Sequence, residues 1–245
     1  MEKLFKNYPF LITPFQVFIT LLLYLQCSVI IGISAFPSVY LVLCYWQSSE
    51  GGLPQGWHSL LRILGLSIAL PIGFFLYTLV LIFVVPAVAY LFRLRIQEGE
   101  YGLFSLGALK WANYNSLILI VRFTCMNFLR VTPFLSFFHK MMGAKIGKNV
   151  QINTFVLADS SLIEIGDNSI IGGDATIIAH VAERNKLIVK RVKIGSHVTI
   201  GIMTIVMPGV EIGDHVTVAA SSVVPKDTKI PSNTIWGGVP IKQIG

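Results

Sequence analysis

The chain has 245 residues, 54% of them hydrophobic and 13% charged, with a mean hydropathy of +0.71 and a formal net charge of +7 at pH 7. That balance excludes an ordinary soluble domain and a disordered chain, and points to a membrane protein. Of the net charge, +5 falls in residues 1–143 (nine Lys or Arg against four acids) and +2 in residues 144–245 (ten against eight), so the basicity flanks the apolar part; it suits anionic headgroups rather than nucleic acid, for which no motif occurs.

Two apolar blocks account for the hydropathy, residues 9–46 and 63–92, each longer than the ~20 residues that cross the hydrocarbon. Pro37 in the first and Pro71 and Pro86 in the second could kink a helix or turn a hairpin, so two or four spans are open; one tilted helix per block is the reading adopted. The polar QSSEGGLPQGW of residues 47–57 reads as the connecting loop. Lys3 and Lys6 precede the first block and Arg93 and Arg95 follow the second, whereas the connection carries Glu50 and only Arg62 at its far edge. By the positive-inside rule this predicts a multi-pass protein of the cell membrane with its N-terminus and everything after the second block cytoplasmic. The first block is too long for a signal-peptide core and lacks a small-x-small cleavage pattern at the right distance, so it reads as an anchor. Cys27, Cys44 and Cys125 all fall in apolar segments without metal or disulfide spacing and read as buried thiols.

Residues 1–93 thus form a transmembrane helical region and residues 94–143 a linker. Within the linker, stretch 106–142 is rich in Leu, Phe and Ile with Lys110, Arg122, Arg130 and Lys140 scattered through it. It predicts a pair of interfacial amphipathic helices broken at Pro133, with apolar sides in the bilayer and basic groups toward headgroups. The same helices would cap the open end of the region that follows.

Residues 144–245 repeat with a period of six. Ile188, Ile194, Ile200, Val206, Ile212, Val218, Val224, Ile230 and Trp236 are all apolar and six apart, and a small or β-branched residue stands four places after each from Ile194 onward. Glycine follows directly at Gly195, Gly201 and Gly213, where it is expected to permit a sharp corner. A less regular run lies upstream at Ile146, Ile152, Ile165, Ile171 and Ile177, with an extra residue near 158–162. Such a period predicts a triangular prism of short parallel strands, three hexads per coil, coils ~4.8 Å apart. The register fails again between Ile177 and Ile188, where the gap is eleven residues and the polar AHVAERNKL should leave the prism as a loop carrying His180. His197 and His215, each fourth in a hexad and eighteen apart, share their position with Asn149 and Asn168; they read as turn residues tolerant of positive φ, and no metal is expected.

The segments IGDNSIIGGDATI, IGDHVTVAASSVVPKD and WGGVPIKQI resemble those of the left-handed parallel β-helix acyltransferases, the hexapeptide-repeat family, over roughly the last hundred residues. The fold implied is a set of N-terminal transmembrane α-helices followed by an all-β left-handed parallel β-helix. The spans, EGEYGLFSLGALKWANYNSLILIVRF and MMGAKIGKN together resemble the terminal membrane-associated module of poly-lysine synthetase-type nonribosomal peptide synthetases.

The resemblance to the acyltransferases implies that His180 matches a catalytic histidine borne on an extended loop. An imidazole of ordinary pKa ~6.5 can take the proton of an amine or hydroxyl attacking a thioester. Glu183 or Asp174 is expected to hold its tautomer. For acetyl-CoA or another acyl-CoA as co-substrate, Gly201, Ala220 and Ser222 match small positions beside pantetheine, and Lys226 and Lys242 match basic positions near the nucleotide phosphates. Ile202 and Pro225 depart from the family pattern. Asn153 and Asp159, with Asp174, match polar acceptor-binding positions of sugar-acetylating relatives. Because such sites form between subunits, a homotrimer is implied. The reading is a membrane-anchored acyltransferase acting on an amine or hydroxyl, in contact with membrane lipids and drawing on CoA or a carrier-protein thioester. The rival is a non-catalytic trimeric membrane scaffold recruiting a peptide synthetase or carrier protein; a metal-dependent hydratase on the same fold would instead bind zinc.

Overall fold

The computed structural model describes residues 8–48 and 57–245. Lys3, Lys6, Glu50 and most of the predicted connecting loop lie outside these residues. Each apolar block is one continuous helix, α1 (Ile12–Ser48) and α2 (Trp57–Leu91), and none of Pro37, Pro71 and Pro86 interrupts them. At ~1.5 Å per residue both exceed the ~30 Å hydrocarbon thickness. They pack antiparallel, with Tyr45 Oη donating to the Arg62 carbonyl at 3.1 Å and Ser38 Oγ to that of Gly73. Phe18, Leu21, Tyr24, Phe36, Leu61 and Phe75 are exposed apolar side chains on these two helices.

Beyond α2 comes a short strand, β1 (Gly99–Gly102), then three helices: α3 (Leu106–Thr124), the single turn α4 (Met126–Leu129) and α5 (Pro133–Met142). Ser105 caps α3, its Oγ accepting from Ala108 N. The predicted break at Pro133 is more accurately a start. The long helix already ends at Thr124, and Pro133 is the first residue of α5, where its missing N–H has no intrahelical partner to lose. Gly143, at φ 109°, ends α5 in the left-handed conformation. Leu106, Phe123, Phe128 and Phe134 are exposed on these helices, while Tyr114, Leu117, Leu135, Phe138 and Met142 are buried against the prism.

The prism is built in coils. The first holds β2 (Lys145–Ile146), β3 (Gln151–Ile152) and a bridge at Leu157; the second holds β4 (Ile163–Ile165), β5 (Ile170–Ile171) and β6 (Thr176–Ile177). A hairpin, β7 (His180–Glu183) and β8 (Lys186–Val189), then leaves the body. Winding resumes with β9 (Val192–Ile194), β10 (Thr199–Ile200) and β11 (Ile205–Val206), then β12 (Glu211–Ile212), β13 (Thr217–Val218) and β14 (Val223–Val224), then β15 (Lys229–Ile230) and β16 (Ile235–Gly237), and an antiparallel β17 (Lys242–Gln243) folds back on β16. Three parallel sheets result: β2-β4-β9-β12-β15, β3-β5-β10-β13-β16 and β6-β11-β14. Register places Ile194, Ile212 and Ile230 one above another, so the period of six in the sequence is three faces of an eighteen-residue coil.

From Ile194 to Ile230 the first residue of each hexad is buried, as are Val198, Thr204, Val210, Val216 and Ser222 four places on. The corner itself sits at the fourth residue, where Asn149, Asn168, Asp174, His197, Met203, His215, Ser221, Asp227 and Asn233 all have φ between 54° and 61°. His197 and His215 stack there, rings 4.7 Å apart and nearly parallel. Glycine at the second place therefore serves a different purpose from the one expected. A Cβ on Gly166 would lie 2.5 Å from Ser196 N of the next coil, so glycine permits coil-to-coil approach while the positive φ falls two residues later. Ile188, read as the first prism position, belongs to the hairpin; the unbroken register begins at Ile194.

Candidate active site

Both failures of the hexad register meet in one place. At the first, the chain passes Leu157, turns through Asp159 at φ 59° and makes a 3-10 turn, Ser160–Leu162, which swings the Asp159 side chain into the body of the protein, fully buried. At the second, the chain leaves β6 and the hairpin begins at His180 itself. The polar loop expected here is an ordered hairpin, closed by Arg184 and Asn185 at φ 47° and 67° in a two-residue turn with both φ positive, the kind whose twist suits flanking strands. β1 adds a third antiparallel strand to it, from Gly99 opposite Val189 to Gly102 opposite Lys186. Lys186 to Glu100 at 2.8 Å and Arg191 to Glu98 at 3.2 Å fasten the same junction, so the segment leaving the apolar helices straps the hairpin down.

Asp159 Oδ2 lies 2.5 Å from His180 Nδ1 and also accepts the Ala179 N–H at 3.2 Å. Its other oxygen accepts Trp111 Nε1–H and Asn115 Nδ2–H, each at 2.8 Å. Trp111 and Asn115 are four apart on α3 and so share a face of that helix. The Trp111 ring stands edge-on to the imidazole at 4.7 Å. A carboxylate can only accept, so the ring nitrogen facing Asp159 is assigned as the donor and Nε2 is the ring atom on the other side. The His180 side chain is 26% exposed against 0% for Asp159. The arrangement sets an imidazole at the surface with a buried carboxylate behind it.

Beside the dyad, a second polar cluster joins helices to prism. Tyr114 Oη donates to the Met142 carbonyl and accepts from Ser161 N, and burial pushes its pKa up to about 12. His139 Nδ1 lies 2.8 Å from Ser160 Oγ, and burial pushes that imidazole down to about 3.

Several predicted residues hold other places. Asp159, expected among the acceptor-binding positions, is buried behind the imidazole, and it, rather than Glu183 or Asp174, is the carboxylate in contact with His180. Glu183 lies three residues along the hairpin and pairs with Lys226 at 2.5 Å, and Asp174 pairs with Arg130 at 2.8 Å. Asn153 is exposed, its carbonyl accepting from Asp174 N, so these two share a corner of neighbouring coils. Ser222 is fully buried, its Oγ accepting the Gly238 N–H at 3.1 Å, and closes the C-terminal turn rather than lining a groove. Gly201 and Ala220 stack on successive coils, where a Cβ on Gly201 would meet the Ala219 backbone at 2.6 Å. Lys242 is exposed on β17. Trp111 and Asn115 were not foreseen; their signal was a pair of hydrogen-bonding side chains at helical spacing, four residues apart on α3.

The family described as bacterial transferase hexapeptide (six repeats) matches residues 191–226. YvoF of Bacillus subtilis (strain 168), a protein assigned as an acetyltransferase, is 33% identical over 135 residues, covering 52% of this chain and 77% of its own. The delta-poly-L-ornithine synthetase of Acinetobacter baumannii (strain AB307-0294) is 26% identical over 115 residues, 47% of this chain; the match covers 9% of that much longer relative. Among solved structures, a hexapeptide-repeat acetyltransferase complexed with acetyl coenzyme A, from Vibrio cholerae O1 biovar eltor, aligns at a TM-score of 0.46 and 16% identity over 63% of this chain and 96% of its own.

Proposed function

The chain belongs to the bacterial hexapeptide-repeat transferases, and on that premise we propose that it is a membrane-anchored acyltransferase that moves an acyl group from coenzyme A to an amine or hydroxyl, with His180 as general base. The observation that carries the reading is the His180–Asp159 pair at 2.5 Å, solvent on one side and a saturated carboxylate on the other. In the reaction the acceptor nitrogen or oxygen bonds to the thioester carbonyl carbon as its proton moves to His180 Nε2. The C–S bond then breaks, and the imidazolium returns the proton to the departing thiolate, leaving acylated acceptor and free thiol. Asp159 keeps Nδ1 protonated throughout and stabilises the transient imidazolium. Proton transfer of this kind contributes about 10² to 10⁴ in rate, with positioning supplying the remainder.

Donor contacts are assigned to the later coils, with pantetheine along the close-packed corner of Gly201 and Ala220 and phosphates near Lys226 and Lys242. Similarity to the poly-ornithine synthetase favours an amine acceptor. Left-handed winding, membrane crossing by α1 and α2 with both flanks cytoplasmic, and a homotrimer complete the proposal. In support of the trimer, Ile202 and Met203 are 54% and 61% exposed at one prism corner beside the exposed Ile205, apolar surface suited to a second copy. The test is release of free thiol from acetyl-CoA by the full chain in detergent, across a panel of amines that includes ornithine. Acceptor-dependent release that falls at least about 10²-fold in His180→Ala is expected; equal release by wild type and variant would overturn the assignment.

A further inference from the structure

One corner of the first coils carries more positive charge than its partners balance. Phe155, just beyond β3, lies under two guanidinium groups, with Arg130 Cζ 4.4 Å and Arg122 Cζ 4.9 Å from its ring centroid. Arg130 pairs with Asp174; Arg122 makes no ion pair with a carboxylate among the described residues. The Nε of each arginine is buried with no hydrogen-bond partner there. Leaving a buried charged donor unpaired is unfavourable, so two such donors at one ring mark a place where acceptor atoms belong. Phosphate offers them in the geometry a guanidinium fork prefers.

The surroundings say how such a group would arrive. The Arg122 guanidinium also lies 5.6 Å from the ring of Phe123, which is 78% exposed, and Phe128 nearby packs edge-on against Phe74 in the middle of α2 at 5.0 Å. The arginines therefore sit beside apolar side chains that continue onto α2. Arg122 also follows Trp111 and Asn115 at helical spacing, eleven and seven residues on, so one face of α3 supports the His180 dyad at one end and presents Arg122 at the other. Along the helix that is about 10 Å from Asn115 and about 16 Å from Trp111.

We propose that Arg122 and Arg130, stacked on Phe155, hold the phosphate of a lipid-borne acceptor whose amine or hydroxyl extends along α3 to His180. The inference rests on the acyltransferase reading for its reacting end, but the phosphate site can be tested without turnover. The full chain in detergent is titrated with a short-chain phosphatidic acid, with inorganic phosphate and, separately, with acetyl-CoA. Phosphatidate should bind saturably and at least about tenfold more weakly in Arg122→Gln and Arg130→Gln, each of which keeps a stem to stack on Phe155. Arg122→Lys, keeping charge without the fork, should fall between, and Lys229→Ala, on the far coils, should match wild type. Acetyl-CoA affinity should be unchanged in all of them. Phosphatidate binding that ignores both arginine substitutions would overturn the site, and inorganic phosphate binding as tightly as the lipid would overturn its lipid source. Failure of wild type to bind acetyl-CoA while phosphatidate still binds would count against the acyltransferase reading and leave the phosphate site standing.

Discussion

Asp159 shows how a single side chain is committed by its surroundings. It stands at φ 59°, a conformation that aspartate tolerates better than most residues, because the extra residue in the first coil must turn there. Four N–H groups then converge on its two oxygens, from Trp111, Asn115, Ala179 and His180. Removing one donor leaves the carboxylate in place but less firmly aimed, so Trp111→Phe should lower kcat about 10- to 100-fold without changing the KM for acetyl-CoA or the circular dichroism spectrum. Glu183→Gln is the contrasting case. It breaks a half-exposed pair with Lys226 and does not touch the imidazole, so steady-state kinetics should find kcat within about fivefold of wild type. Sequence pattern located His180 at its register break but could not choose its carboxylate. Glu183 is nearer along the chain than Asp159, yet alternation along β7 and the pairing with Lys226 carry it away, whereas a 3-10 turn brings in a residue 21 positions upstream.

At the level of elements, helix α5 holds a titratable group with nowhere to put a charge. His139 is fully buried, its Nε2 has no partner among the described residues, and its pKa is depressed from 6.5 to about 3. Between those values the unfolded chain binds a proton that the folded chain refuses, so stability is fully present above about pH 6.5 and declines as the pH falls, by up to ~1.4 kcal/mol per pH unit. Thermal melts should show Tm dropping from pH 6.5 to 4.5, and His139→Gln should flatten that limb; an identical slope in the variant would contradict the assignment. In the prism the cost is one of packing. Ile200 is fully buried between Ile171 and Val218 of neighbouring coils, and Ile200→Ala should lose about 2–5 kcal/mol in denaturant titration. These strands were legible because their period is geometric: one face per hexad, a positive-φ corner at the fourth place. The hairpin was read only as a departure, since its partner β1 lies about eighty residues earlier, beyond the reach of any local pattern.

On the scale of the whole molecule, the apolar helices and the prism meet at the His180 dyad through the linker. Strand β1 straps the hairpin that carries His180, and α3 supplies two of the four donors that hold Asp159, so the segment leaving the apolar helices completes the dyad. The two long apolar helices were legible from length and composition alone, but the linker's part in the site was not, because its composition read as an interfacial helix pair that would also cap the prism. If the exposed corner of Ile202 and Met203 is where copies meet, Ile202→Glu with Met203→Glu should shift light-scattering mass in detergent from trimer to monomer, while wild type stays trimeric. The central claim is that one oriented imidazole performs the transfer. Its most direct test is the single-turnover rate of acyl transfer from acetyl-CoA by the full chain in nanodiscs, measured side by side for wild type, His180→Ala and Asp159→Asn. Both variants should bind acetyl-CoA as wild type does and transfer at least about 10²-fold more slowly; transfer at the wild-type rate by either would contradict the account.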